Sequence, residues 1–242
     1  MRYLVLSDIH ANRPALEAVL KDAAPFDMIW CLGDLVGYGP DPNECIERMQ
    51  DFEHVCLVGN HDWAALGRMS LENFNLDARL ANSWTQSELT LAARSYMQNA
   101  SVRVEQGDFT LVHGSPREPV WEYILDADMA AANFEHFSTP ICLIGHTHIA
   151  IAFALDEERN RCYPLIPPYP GPIALGGQRM FLNPGSVGQP RDGDPRASYA
   201  IFDAEAHTWE LRRVSYPIEI TQERMRARNM PRRLIDRLAT GR

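Results

Sequence analysis

Five short apolar runs in this chain each end on a side chain able to bind a metal, and that recurrence limits what the chain can fold into. LVLSDIH carries Asp8 and His10, and MIWCLGD carries Asp34. VCLVGNHD carries Asn60 with His61 beside it, FTLVHG carries His113, and ICLIGHTH carries His146 and His148. Tyr3–Leu6, Met28–Leu32 and Val55–Val58 read as strands, separated by helical patterns at Pro14–Lys21 and Asn43–Met49. Pro14 suits the first turn of its helix, where a missing N–H costs nothing. Strand–helix–strand repetition implies right-handed crossovers and a largely parallel sheet. In open α/β sheets ligands bind just beyond the carboxyl ends of the strands, so five loaded strand ends can converge on one spot.

Residues 62–99 break this rhythm with a mainly helical stretch, read as a packed insertion whose apolar face is Leu80, Trp84, Leu89 and Tyr96. Strands resume at Phe109–Val112, Ile141–Ile144 and Ile149–Ala154. Pro164–Gly177 is rich in proline and glycine and reads as loop. Met180–Leu182, Ser198–Phe202 and Trp209–Val214 follow as strands at antiparallel-like spacing, and Ile220–Arg242 is a basic, helical tail. Without a repeat or a credible linker, residues 1–242 are expected to form a single domain.

A lone histidine after a strand is more often a hydrogen-bonded core or surface side chain than a ligand. Here five of the eight histidines occupy strand ends, and only His54, His136 and His207 lie elsewhere. Gathering two carboxylates and four imidazoles away from water without a metal would cost several kcal/mol. Seven ligands (Asp8, His10, Asp34, Asn60, His113, His146 and His148) exceed what one tetrahedral ion with an open position needs. Two divalent ions sharing Asp34 would use them all, about 3.5–4 Å apart with a water between them. The mixed nitrogen and oxygen set favours Mn, Fe, Co, Ni or Zn over Mg or Ca. Four positive charges against Asp8, Asp34 and a hydroxide leave a pocket that attracts a phosphate ester.

That local field matters because the chain as a whole carries a formal charge of -9, which argues against nucleic acid as partner but leaves room for a small phosphate ester drawn by the local metal charge. The five cysteines are odd in number and lack CxxC spacing, which fits reduced thiols in the cytoplasm better than a disulfide framework. The apolar run before Asp8 is too short for a signal peptide, and no stretch approaches a membrane span. Nothing in the sequence speaks to oligomeric state.

The segments SDIH (Ser7–His10), GDLVGYG (Gly33–Gly39), GNHD (Gly59–Asp62), HG (His113–Gly114) and GHTH (Gly145–His148) resemble, in order, the motif set of the calcineurin-like metallophosphoesterase superfamily. NPGSVGQPRDG (Asn183–Gly193) resembles its compact phosphodiesterase-like branch, so the likeness runs through nearly the whole chain. The resemblance implies a four-layer α/β/β/α sandwich of two mixed sheets with flanking helices. It also implies that Asp8, His10, Asp34 and His148 bind one metal, and that Asp34, Asn60, His113 and His146 bind the other. His61 would protonate the leaving oxygen, and a hydroxide bridging the ions would attack phosphorus in line without a phospho-enzyme. One departure bears on substrate. Phosphoprotein phosphatases and dinucleoside-tetraphosphatases of the superfamily carry an arginine in a DRG version of the second motif, where this chain has Gly37-Tyr38-Gly39. That favours a phosphodiester over a phosphomonoester or nucleotide, and leaves Asn12, Arg13 or Arg191 to grip the phosphate. A non-catalytic, protein-binding version of the fold exists in the retromer coat, but it lacks the catalytic histidine that His61 supplies here.

Overall fold

A computed structural model describes residues 1–159, 161–166 and 168–242. The first part of the chain alternates strand and helix: β1 (Arg2–Leu6), α1 (Arg13–Ala23), β2 (Met28–Cys31), α2 (Pro42–Met49) and β3 (His54–Cys56). Three helices follow, α3 (Asn60–Ala65), α4 (Leu76–Glu88) and α5 (Leu91–Gln98). Then come β4 (Arg103–Gln106), β5 (Phe109–Val112), α6 (Ala127–Asn133), β6 (Ile141–Leu143), β7 (Ala150–Asp156), β8 (Arg161–Leu165) and β9 (Pro172–Ala174). The chain closes with β10 (Arg179–Pro184), β11 (Ala197–Asp203), β12 (Thr208–Val214), α7 (Ile218–Ala227) and α8 (Arg232–Arg237).

The strands form two six-stranded sheets, ordered β3-β2-β1-β11-β12-β9 and β4-β5-β6-β10-β7-β8. In the first, β1, β2 and β3 are parallel and β11 runs antiparallel to β1. In the second, β5, β6 and β10 are parallel and β4 and β7 antiparallel to their neighbours. Both sheets are mixed, as the resemblance implied, rather than the largely parallel sheet that strand–helix repetition suggested. Alternate side chains leave opposite faces of a strand, and here both faces are buried. Val5, Trp30, Leu111, Leu143, Leu182 and Phe202 meet between the sheets. Leu4, Leu6 and Ile29 pack outward against α1 and α2, through Leu16, Val19 and Met49. Cys142, Phe153 and Phe181 pack outward against Phe134 and Ala130 of the α6 region. The result is the helix–sheet–sheet–helix layering implied by the motifs. Among the described residues, no helix is long and apolar enough to cross a membrane.

Two expectations need correction, and one strand had no counterpart in the sequence reading. The buried face of α4 is Ala78, Ala81, Asn82 and Thr85, and Leu80 is 51% exposed. Ala78 and Ala81 pack with Ala64 of α3 and with Met225 and Leu234 of α7 and α8, and Leu80 falls on the opposite side of the helix. Pro164–Gly177 is not all loop. Pro164 and Leu165 end β8, which pairs with β7, and Ile173 pairs with Trp209 in β9, an edge strand where proline costs no ladder bond. Pro167 of that stretch lies outside the described residues. Finally, β4 lacks an apolar signal because its sequence, RVEQ, is polar, as befits the edge of the second sheet. The α4 correction has a measurable consequence. Leu80→Ala should change unfolding free energy by about 0.5 kcal/mol or less, whereas Phe181→Ala should cost about 3–5 kcal/mol. Urea unfolding of the two variants checks this, and a large loss at Leu80 would contradict the burial.

Candidate metal centre

The strand ends meet at one edge of the two sheets. β1 and β2 lead into Asp8, His10 and Asp34, and β3 leads into Asn60 and His61 at the start of α3. From the other sheet, β5 leads into His113, and β6 into His146 and His148. Backbone hydrogen bonds set the loops side by side. Asp8 N donates to Gly33 O at 3.0 Å, His10 N to Asp34 O at 2.9 Å, and Gly145 N to His113 O at 2.8 Å. The NPGSVG stretch braces the first loop from behind, with Gly188 N donating to Asp8 O at 3.0 Å and Ser186 Oγ to the same carbonyl at 2.8 Å.

The turns are tight enough to force unusual backbone. Asp8, His10, Asp34, His146 and His148 all have φ between +48° and +64°, a region that side-chain-bearing residues adopt rarely and at a cost. Gly59 is glycine for a steric reason, since a Cβ there would stand 2.1 Å from Asp34 Oδ1. Gly37, at φ +85°, makes room for His61, whose Nδ1 would lie 2.6 Å from an added Cβ. Asp62 locks the second and third motifs together, accepting from Val36 N at 3.0 Å and Gly59 N at 2.9 Å.

Four imidazoles share one arrangement. His10 Nδ1 lies 3.1 Å from Val36 O, His148 Nδ1 2.6 Å from Gln189 O, His113 Nδ1 3.0 Å from Leu32 O, and His146 Nε2 3.0 Å from Trp121 O. A carbonyl only accepts, so each of those nitrogens carries the proton and the opposite nitrogen of a neutral ring presents a lone pair. Those lone pairs converge. His10 Nε2 lies 3.1 Å from His148 Nε2, and His113 Nε2 lies 3.2 Å from His146 Nδ1 and 3.3 Å from Asn60 Oδ1. Asp8 Oδ1 stands 3.2 Å from His148 Nε2, and Asp34 Oδ2 stands 3.3 Å from His113 Nε2 and 3.6 Å from His10 Nε2. Both carboxylate oxygens are buried without a hydrogen-bond partner. Acceptors turned toward acceptors, in a space closed to water, are what a cation resolves. The donor atoms of Asp8, His10, Asp34 and His148 lie within 4.8 Å of one another, as do those of Asp34, His113 and His146, and Asp34 belongs to both groups.

The electrostatics agree. Burial works against charge on Asp8, yet His148 and His113 hold its carboxyl well below the usual range, and at Asp34 burial is overcome in the same way by His113 and His61. Burial pushes His146 down to about 3 and lowers His10 and His148 as well. At His113 burial is outweighed by Asp34 and Asp8, which lift the ring to about 9. The stripped pocket thus holds two carboxylates against one imidazolium and keeps an affinity for positive charge.

His61 stands apart from these lone pairs. Its backbone N–H donates to Asp34 Oδ1 at 2.9 Å, while its ring is wedged between Tyr38, Phe74 and His10, with centroids 4.2, 5.0 and 4.9 Å away. Its Nδ1 pairs with the Asn82 amide, 3.0 Å from Nδ2 and 3.2 Å from Oδ1. Burial lowers the ring to about 4.

With this geometry in place, the comparisons are direct. The family model described as "Calcineurin-like phosphoesterase superfamily domain" matches residues 1–207. The chain belongs to this superfamily. A crystal structure of a metallophosphoesterase from Sphaerobacter thermophilus superposes with a TM-score of 0.92 at 48% identity, covering 100% of this chain and 99% of that one. An uncharacterized protein of Methanocaldococcus jannaschii is 37% identical over 98% of this chain and 97% of its own length. Phosphodiesterase YfcE of Escherichia coli strain K12 is 26% identical over 84% of this chain and 88% of its own.

Of the three residues considered for gripping phosphate, two are committed elsewhere in this phosphoesterase. Asn12 caps α1 through Ala15 N at 3.3 Å, accepts from Thr221 Oγ1 at 2.8 Å, and donates to Gly188 O at 2.9 Å and Tyr216 Oη at 3.1 Å. Arg13 is 3.5 Å from Glu17 on the surface of α1. Arg191 differs. Its backbone N–H donates to His148 O at 3.1 Å, its guanidinium sits 5.6 Å above the Tyr38 ring with Nη2 donating to Gln189 Oε1 at 2.9 Å, and its Nε is buried without a partner. Asp62 of the GNHD motif ties the motif loops together, and two groups that no motif marks support the site: Asn82 holds His61, and Trp121 O orients His146. An asparagine inside a helical stretch and a lone backbone carbonyl carry no sequence signal that would find them.

Proposed function

We propose that this metallophosphoesterase hydrolyses phosphate esters, with phosphodiesters favoured, at two divalent transition-metal ions that share Asp34. The observation that carries this reading is the set of four imidazoles whose outer N–H groups are tied to carbonyls and whose inner lone pairs face the orphaned oxygens of Asp8 and Asp34. Asp8, His10, Asp34 and His148 would hold one ion, and Asp34, Asn60, His113 and His146 the other. When bound, such a metal pair activates water and offsets phosphoryl charge. Arg191, beside Tyr38 and His148, would bind a phosphoryl oxygen through its guanidinium, and His61 would hold a proton toward the leaving oxygen. The preference for diesters draws on the Escherichia coli relative, which is named a phosphodiesterase, and on Tyr38 standing where a phosphatase-type arginine is expected. A cytoplasmic location belongs to the same reading, because the five cysteines are free thiols suited to a reducing compartment.

The decisive experiment strips the protein with chelator and assays an aryl phosphodiester before and after adding metals. Activity should vanish, then return with Mn²⁺, Co²⁺ or Ni²⁺ more than with Mg²⁺, since imidazoles suit borderline ions. Full activity in protein shown to be metal-free would overturn the proposal. Metal binding should also expel the proton that His113 holds below pH 9. Titrating Mn²⁺ into stripped protein at pH 7.5 should therefore release roughly one proton per chain from this ring, and the release should fade as pH rises through about 9. A release that does not change between pH 7.5 and 10 would show that His113 is not displaced from its proton by metal.

A further inference from the structure

The loop that follows His113 presents two large aromatic side chains beside the cluster. Tyr123 lies flat on the His146 ring, with centroids 3.7 Å apart and planes 18° from parallel, yet it remains 39% exposed. Trp121 is 38% exposed and meets Phe74 edge-on at 5.4 Å, and Phe74 in turn touches His61. Glu122 between them points the other way and anchors the loop. Its carboxylate accepts from Ser115 Oγ at 2.6 Å and Asn133 Nδ2 at 2.9 Å, and it pairs with Arg117. The two rings are therefore held in fixed planes at the rim of the cluster, each with area open to solvent. Arg191 marks a different part of the rim, next to Tyr38 and His148. Each ring packs on one side, Trp121 on Phe74 and Tyr123 on His146, and leaves further area open at the mouth of a charged site, where a planar ring stacks well.

We propose that Trp121 and Tyr123 form a stacking platform that selects esters bearing a flat aromatic ring, either an aryl group joined directly to phosphate or a nucleobase carried on a sugar. The ring would lie on Tyr123, extending the stack that His146 begins, with Trp121 beside it. This rests on the phosphoester reading above and names the substituent that the same site prefers.

Because leaving-group acidity would confuse a comparison of rates, the test uses non-hydrolysable competitors. Ki values for methyl-, cyclohexyl- and phenylphosphonate, and for the methylene phosphonate analogue of adenosine 5′-phosphate, are measured on the Mn²⁺-loaded enzyme hydrolysing an alkyl phosphodiester. At least one of the two ring-bearing competitors should bind about tenfold or more tighter than cyclohexylphosphonate, which matches phenyl in size but cannot stack. A preference for phenylphosphonate identifies the directly attached aryl group, and a preference for the adenosine analogue alone identifies the base. In Trp121→Ala and Tyr123→Ala the ratio of cyclohexyl to ring Ki should fall to within about twofold of unity, and Trp121→Phe should restore most of it. A ratio near unity in the parent, or one that survives both alanine variants, overturns the platform while leaving the hydrolase intact. If the loaded parent hydrolyses no phosphoester and methylphosphonate does not bind, it is the phosphoester reading that fails, and the platform falls with it.

Discussion

Asp34→Asn is expected to abolish most hydrolysis while the protein stays folded. Asp34 Oδ2 faces both His113 and His10, so the residue belongs to both groups of donors, and its Oδ1 accepts from His61 N. Asparagine keeps the acceptor for His61 but removes the charge that both ions would share, and its amide N–H turns protons toward lone pairs. Loss of one charge-stabilising group of this kind commonly costs about 10²–10³-fold in kcat, and loss of a shared ligand should reach or exceed that range. His113→Ala makes a useful partner, because His113 would serve one ion only. Metal analysis should find about one ion per chain in that variant against about two in the parent. Parent-like activity in Asp34→Asn, or equal occupancy in His113→Ala and the parent, would show that the two-ion arrangement is wrong.

His61→Ala tests the one ring placed beside the cluster without a lone pair in it. General-acid assistance typically contributes about 10²–10⁴-fold, and kcat should fall by about that much with metal content unchanged. Burial keeps the free ring neutral above pH 4 or so, and the Asn82 amide, when its NH₂ group donates to Nδ1, leaves the proton on Nε2. A substrate phosphate nearby would favour the charged ring. The deficit should shrink for esters with acidic leaving groups such as nitrophenol, which depart without a proton. A deficit that stays flat across a leaving-group series rejects the acid role and leaves His61 as a hydrogen-bond donor to the phosphoryl group.

The core strands were legible in the sequence for one physical reason, while the four-layer arrangement was implied by the motifs. Strands buried on both faces read as unbroken apolar runs, so Leu4–Leu6, Ile29–Leu32 and Cys142–Ile144 announce themselves, and so does the metal-capable side chain two residues after each. Where that contrast fades, reading fails. RVEQ and PIA are edge strands with little apolar content, and α4 buries alanines that look no different from exposed ones. The supports of the site are less visible still. Asn82 acts across 21 residues on His61, and Gln189 O reaches His148 from 41 residues away. Nor does any residue pattern betray that five of the seven proposed ligands sit in left-handed backbone.

That backbone carries an evolutionary consequence. Each such residue costs the fold about 1–3 kcal/mol of local strain, and glycine at the same position would relax it. Selection for fold alone therefore pulls His10, His146 and His148 toward glycine, and Asp8 and Asp34 as well apart from the backbone N–H groups of His146 and His61 that they accept, while the chemistry of the centre holds all five in place. A duplicate gene freed from catalysis should lose these five before it loses the aromatic core, and should melt higher for having done so. Residue identity at the five left-handed positions thus offers a way to tell working paralogues from retired ones.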